Sequence, residues 1–207
     1  MFVPGRPPFV IRLVLVGLAI GATAAVARAA ADASLSREHA DQLVRKISVI
    51  ALHGLSTQPE SRKTTITEQE VNSYLAFHAR KQLPAGVLDP TVTIMPAGRL
   101  TGRAIVDLDA VRKAREAAGQ TAPMLMTGRL PVQAAGVLKT GNGMGRFELQ
   151  QAWIGGIPIP KTLLEQIVAY YTRTPDMPDG IDLDAPFELP SAIREIRTSQ
   201  GAAIIIQ

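Results

Sequence analysis

Apolar and polar residues alternate along this chain with periods that change from segment to segment. Leu13 to Ala27 has no period: it is an almost unbroken run of apolar and small residues, with Thr23 its one polar side chain. Leu35 to Leu52 has a helical period, with Leu43, Val44, Ile47 and Ile50 or Ala51 on one side. Such a helix fits either an element packed into a domain or a stalk leading away from a membrane. Gly54 to Arg62 is polar and contains Pro59, which predicts a loop. Lys63 to Ile66 predicts a short strand. Thr67-Glu68-Gln69-Glu70 then has the form of a capping box, in which Thr67 accepts from the third amide and Glu70 reaches back. Val71, Tyr74, Leu75 and His78 follow at helical spacing, predicting a helix to about Gln82 that stops before Pro84.

From Asp89 the period becomes two. Val92 and Ile94 alternate with Thr91 and Thr93, and after a turn at Ala97-Gly98 the residues Leu100, Gly102, Ala104, Val106 and Leu108 alternate with Thr101, Arg103, Asp107 and Asp109. Asp109 to Ala118 predicts a short helix ended by Gly119. Met124 to Lys139 is the longest alternating run, with Met126, Leu130, Val132 and Ala134 on one face and Thr127, Arg129 and Gln133 on the other. Thr140-Gly141-Asn142-Gly143 predicts a hairpin turn. Phe147, Leu149 and Trp153 then oppose Arg146, Glu148 and Gln150. Gly155 to Pro160 is expected to break the strand, with Pro160 opening a helix. That helix carries an apolar stripe of Leu163, Leu164, Ile167, Val168 and Tyr171, and Pro175 and Pro178 end it. Phe187 and Leu189 suggest another strand. Ile193 to Thr198 and Ala202 to Ile206 predict a last hairpin, whose second strand is apolar on both faces and therefore interior. Hairpin-linked strands with interspersed helices make an α+β fold, in which helices cover the apolar face of an antiparallel sheet.

The aperiodic start changes the reading of charge. Arg6 and Arg12 precede the apolar run, and Ala27-Arg28-Ala29 after it has the small-x-small form that a signal peptidase cuts. Residues 1–29 are therefore expected to be a secretory signal, with an uncleaved membrane anchor as the alternative. Residues 30–62 are expected to form an N-terminal helix and loop, and 63–207 a single domain. Three of the 22 Lys and Arg residues and none of the 18 Asp and Glu residues lie in that leader, so the remainder carries 19 against 18. The net charge of +4 belongs largely to the leader and gives no ground for a nucleic-acid surface. An exported chain without a single cysteine must be held by its core, and it has no thiol chemistry.

The search for reactive constellations is mostly negative. His39, His53 and His78 are far apart in sequence and lack a second ligand at metal-binding spacing, so no metal is expected. There is no Gly-x-Ser-x-Gly elbow and no phosphate loop; Gly141-Asn142-Gly143-Met144-Gly145 reads as a turn. Asp107 with Asp109, and Asp182 with Asp184, are spaced to share a strand face. Such pairs can do acid–base work or hold Ca²⁺, but a solvated strand end accounts for them more simply. The inward positions Gly102, Ala104, Gly128 and Ala134 are small, which lets an apolar partner approach the sheet closely. That partner is either a helix of the chain or an acyl chain.

Three segments carry a family resemblance. Thr67-Glu68-Gln69-Glu70-Val71-Asn72-Ser73-Tyr74-Leu75 resembles the helix start of YpmS-like secreted, membrane-anchored proteins. Gly155-Gly156-Ile157-Pro158-Ile159-Pro160 resembles their Gly-x-x-Pro-x-Pro element. Phe187-Glu188-Leu189-Pro190 and the closing hairpin are similar to the ending of LmeA-like envelope proteins. Both groups resemble the TULIP/SMP-like tubular lipid-binding superfamily. The resemblance implies a curved antiparallel sheet wrapping one or two helices around a space for acyl chains, with no catalytic residues and no cofactor.

The expected function is accordingly a non-enzymatic lipid-binding protein of the periplasm or the extracytoplasmic membrane face, a carrier of envelope lipids. Leu164, Ile167, Val168 and Tyr171 are expected to face Leu130, Val132, Phe147, Leu149 and Trp153 across the lipid site. The expected partner is a lipid or other apolar molecule, with a membrane surface beside it and no nucleic acid. Two alternatives stay open: an envelope scaffold whose own helix fills the groove, and a hydrolase using Asp107 and Asp109.

Overall fold

The structure, a computed structural model, describes residues 35–56, 60–117, 119, 127–172, 178–180 and 182–207. The leader expected at 1–29 lies outside these residues. The chain is α+β, built on largely antiparallel, curved sheet. In chain order its elements are α1 (Arg37–Gly54), β1 (Lys63–Thr67), α2 (Glu68–Phe77), β2 (Val87–Ile94), β3 (Arg99–Asp107) and α3 (Leu108–Ala117). There follow β4 (Arg129–Gly141), β5 (Met144–Ile154), β6 (Ile157–Pro158), α4 (Lys161–Thr172), β7 (Phe187–Glu188), β8 (Glu195–Ser199) and β9 (Ala202–Ile206).

The strands divide between two sheets. The larger runs β2-β3-β4-β5-β6, with β7 also pairing with β5; the smaller runs β1-β9-β8. β9 is the central strand of the smaller sheet, as its two apolar faces predict. Two hydroxyls join the sheets. Thr140 Oγ1 donates to the Ile196 carbonyl at 3.0 Å and accepts from the Ile196 amide at 2.8 Å, so one side chain does the work of a paired strand. Thr198 Oγ1 likewise donates to the Met95 carbonyl at 2.6 Å and accepts from Gly98 N at 2.7 Å.

The polar residues of α2 attach it to the edge of the larger sheet. Thr67 and Glu70 complete the capping box, at 3.2 Å and 2.8 Å. Glu68 accepts from the Ile94 amide at 2.7 Å. Asn72 accepts from Val92 N at 2.7 Å and donates to Val92 O at 2.9 Å. The edge of β2 is thus capped by side chains instead of another strand, which removes a pairing hazard. The helix ends at Phe77, short of the expected Gln82, with His78 as its C-cap and the His78 amide donating to Tyr74 O. α1 is a packed element, not a stalk: it buries Ala40, Leu43 and Ile50 and lies against α2.

Two irregularities bend the larger sheet. One falls in β2 between Leu88 and Thr91, where Asp89 takes a left-handed backbone (φ 46°) next to Pro90. The other falls in β5, where Leu149 pairs with Gly136 and Gln151 with Ala135, leaving Gln150 as an extra residue. Bulges of this kind bend and twist the strand that carries them. The expected break at Gly155–Pro160 proves to be a second tight turn. Gly155 and Gly156 both have positive φ (60° and 82°), and β6 folds back to pair Ile157 with Ile154 and Pro158 with Trp153. The long run expected from Met124 begins as a strand at Arg129; Met126 lies outside the described residues.

Candidate functional site

The apolar side of the larger sheet is the candidate site. Pairing register fixes which residues share it, because side chains directly opposite on neighbouring strands point the same way. Val92 and Ile94 from β2 stand beside Gly102 and Leu100 from β3. Gly102, Ala104 and Val106 stand beside Ala134, Val132 and Leu130 from β4. Leu138, Gly136, Ala134 and Val132 stand beside Phe147, Leu149, Ala152 and Ile154 from β5. The row through Gly102, Ala134 and Ala152 is made entirely of small residues, which forms a shallow trough across the middle of the sheet. At Gly136 a Cβ would collide with the Phe147 ring, so that ring lies directly over the glycine.

Burial is uneven along this face. At the end near the Asn142–Gly143 turn, Leu100, Leu138, Phe147 and Leu149 are buried in the common core. At the other end Val106, Leu130, Val132 and Ile154 are only partly buried. Val132 still packs against the core cluster, and Val106, Leu130 and Ile154 continue the apolar face past it. We refer to the two ends as the closed end and the mouth.

The structure distributes the nine expected lipid-facing residues unequally. Phe147 and Leu149 are core residues near the closed end; Leu130 and Val132 lie at the mouth. Leu164 of α4 is 4% exposed and belongs to the same core cluster, and Val168 packs against it. The side chains of Ile167 and Tyr171 lie outside the described residues. Trp153 is a correction. The extra residue Gln150 inverts the alternation, so Trp153 pairs with Gln133 and Pro158 on the opposite face, from which its ring touches the edge of the core. Ala152 and Ile154 take the inward places instead. The Gln150-Gln151 doublet, which interrupts strict alternation, is the sequence signal that could have revealed this. Gln133 is buried beside Trp153, and its Oε1 has no partner among the described residues.

The carboxylate pairs are structural in geometry. Helix α3 starts at Leu108, so Asp107 and Asp109 do not share a strand face as expected. Asp107 accepts from Ala110 N at 3.0 Å and pairs with Arg129 at 3.1 Å. The Ala110 amide first, and the Arg129 guanidinium second, hold its carboxyl below the ordinary range. Asp109 accepts from Gly128 N at 3.0 Å and from Arg112 at 3.4 Å. Asp182 accepts from the Asp184 amide at 2.8 Å in a local turn, and Asp184 pairs with Lys161. Among the described residues no three His, Cys, Asp or Glu side chains converge as a metal site would need.

Elsewhere, a cavity of about 460 Å³ lies at the closed end, lined among others by Asn142, Gly143, Leu189, Ile193 and Gln207. It sits in the seam between the sheets, away from the mouth.

No family model matches the chain, and no curated protein does. Among solved structures it is similar to a crystal structure of lipopolysaccharide binding protein, at 14% identity, over 70% of this chain and 40% of that one, with a TM-score of 0.22. The chain spans less than half the length of that protein, and a likeness this distant says nothing of what this chain does.

Proposed function

We propose that this protein is a non-enzymatic, extracytoplasmic lipid-binding protein that holds acyl chains against the inner face of the larger sheet, at the mouth. The observation that carries this reading is the continuation of the apolar face past its own core. Val132 packs against the core, and Val106, Leu130 and Ile154 extend the same face beyond it while only partly buried. The small row Gly102, Ala134 and Ala152 leaves depth beside them. Each methylene transferred from water to such a surface contributes about 0.8 kcal/mol, so an acyl chain needs no polar anchor to bind. The leader expected from the sequence supports an envelope location. A mouth at one end and a closed core at the other support the role of lipid carrier.

The burial of Leu164 in the core favours a second reading, in which α4 fills the groove and the protein is an envelope scaffold. Native mass spectrometry with lipid extraction separates the two, using protein purified from the envelope. The parent should carry lipid. Leu130→Glu, at the mouth, should lose it while keeping a cooperative melt. Leu138→Glu, in the sealed core, should unfold, because a buried charge without a partner is strongly unfavourable. Absence of lipid from the parent, with both variants unfolding alike, would establish the scaffold.

A further inference from the structure

We infer that the Gly155–Gly156–Ile157–Pro158 turn is the point at which this protein touches a lipid bilayer. The inference rests on the lipid-binding reading and names the surface from which the lipid comes. Ile157 is 68% exposed, and Leu163 in the first turn of α4 is 43% exposed. Ile157 stands on a turn that its backbone holds in place. The turn is fixed by two glycines of positive φ, β6 is held in register against Trp153 and Ile154, and the Gly155 amide is bonded to Pro131 O at 2.8 Å. A large aliphatic side chain held out into water on a fixed turn gains nothing from folding.

Its position distinguishes it from the other exposed apolar residues. Ile157 pairs with Ile154, and Ile154 pairs with Val132, so the turn stands at the rim of the mouth. Its apolar surface is continuous with the face proposed to hold acyl chains. Leu55 is more exposed, at 81%, but it caps the far end of α1, where the helix meets Ser191 near the closed end. A bilayer also suits the chain as a whole. The apolar run from Leu13 to Ala27 leads the chain to a membrane, and the eight residues from Arg28 to Leu35 reach at most roughly 28 Å. If that leader stays as an anchor, the domain works within one bilayer thickness of the surface. If it is cut, the turn is the contact a free carrier makes on arrival. Either way an isoleucine at the rim lets an acyl chain pass from membrane to mouth without crossing open water.

The cysteine-free chain makes the test direct. Full-length Ile157→Cys and Leu55→Cys are each labelled with an environment-sensitive dye and mixed with vesicles of phosphatidylethanolamine and phosphatidylglycerol. The dye at 157 should shift to the blue and become shielded from an aqueous quencher; the dye at 55 should do neither. Ile157→Glu should slow lipid transfer between vesicles about tenfold, the scale set by losing one buried aliphatic side chain. The lipid that copurifies with it, and its melt, should match the parent. No shift at 157, or an equal shift at 55, overturns the inference. A parent that carries no lipid overturns the lipid-binding reading, and the dye result is read independently of it.

Discussion

Asn72 places both ends of its amide on one peptide group, meeting the N–H and the C=O of Val92. It is buried, so removing it leaves a donor and an acceptor without water to replace it. Each such orphan costs about 1–3 kcal/mol. Asn72→Ala should therefore lower stability by about 2–4 kcal/mol in denaturant unfolding, as much as a large core truncation. Glu70 is a second buried polar residue whose role is structural. Burial alone would raise its pKa, but Lys46 at 2.7 Å and the Thr67 amide at 2.8 Å outweigh it and hold the carboxyl below 4.5. A group whose pKa is depressed on folding adds stability that is fully present above its unfolded value and lost as pH falls through the folded one. The midpoint of urea unfolding should therefore decline as pH drops below about 4.5 in the parent, and decline less steeply in Glu70→Gln.

At the scale of the element, the bulge at Gln150 decides which residues of β5 lie on the apolar side of the larger sheet. Removing Gln150 would leave Leu149 opposite Gly136, Gln151 opposite Ala135 and Ala152 opposite Ala134, so every inward residue would keep its face. The strand would lose its bend. On the lipid-binding proposal, deletion of Gln150 should thus give a protein that melts cooperatively but retains less lipid, measured on the same sample. The bulge also marks where sequence reasoning stopped working. Period-two patterns and turn residues located β2 to β5, the Asn142–Gly143 turn and the interior β9, because alternation and left-handed turn positions are local properties. The capping box at Thr67 was legible for the same reason. An extra residue in one strand is defined by its partner strand, and so Trp153 fell on the wrong face. The roles of Asp107 and Asp109 were equally hidden, since they depend on Ala110, Gly128 and Arg129 being brought to the end of β3. The mouth was not legible at all. Leu130 and Leu138 look alike along β4, and only packing makes one of them open.

At the scale of the whole molecule, the pairing of β1 with β9 has a consequence in time. Lys63 lies opposite Ile206, and Thr67 opposite Ala202, so the strand that β1 pairs with among the described residues lies far along the chain from it. Such a contact carries a large loop-closure entropy and forms slowly. A ribosome delivers residue 63 long before residue 206. Until then the smaller sheet lacks its centre, and β8, which Thr140 grips at Ile196 and which itself reaches Met95 and Gly98 through the Thr198 hydroxyl, lacks its neighbouring strand. The smaller sheet therefore closes only once β9 has been added.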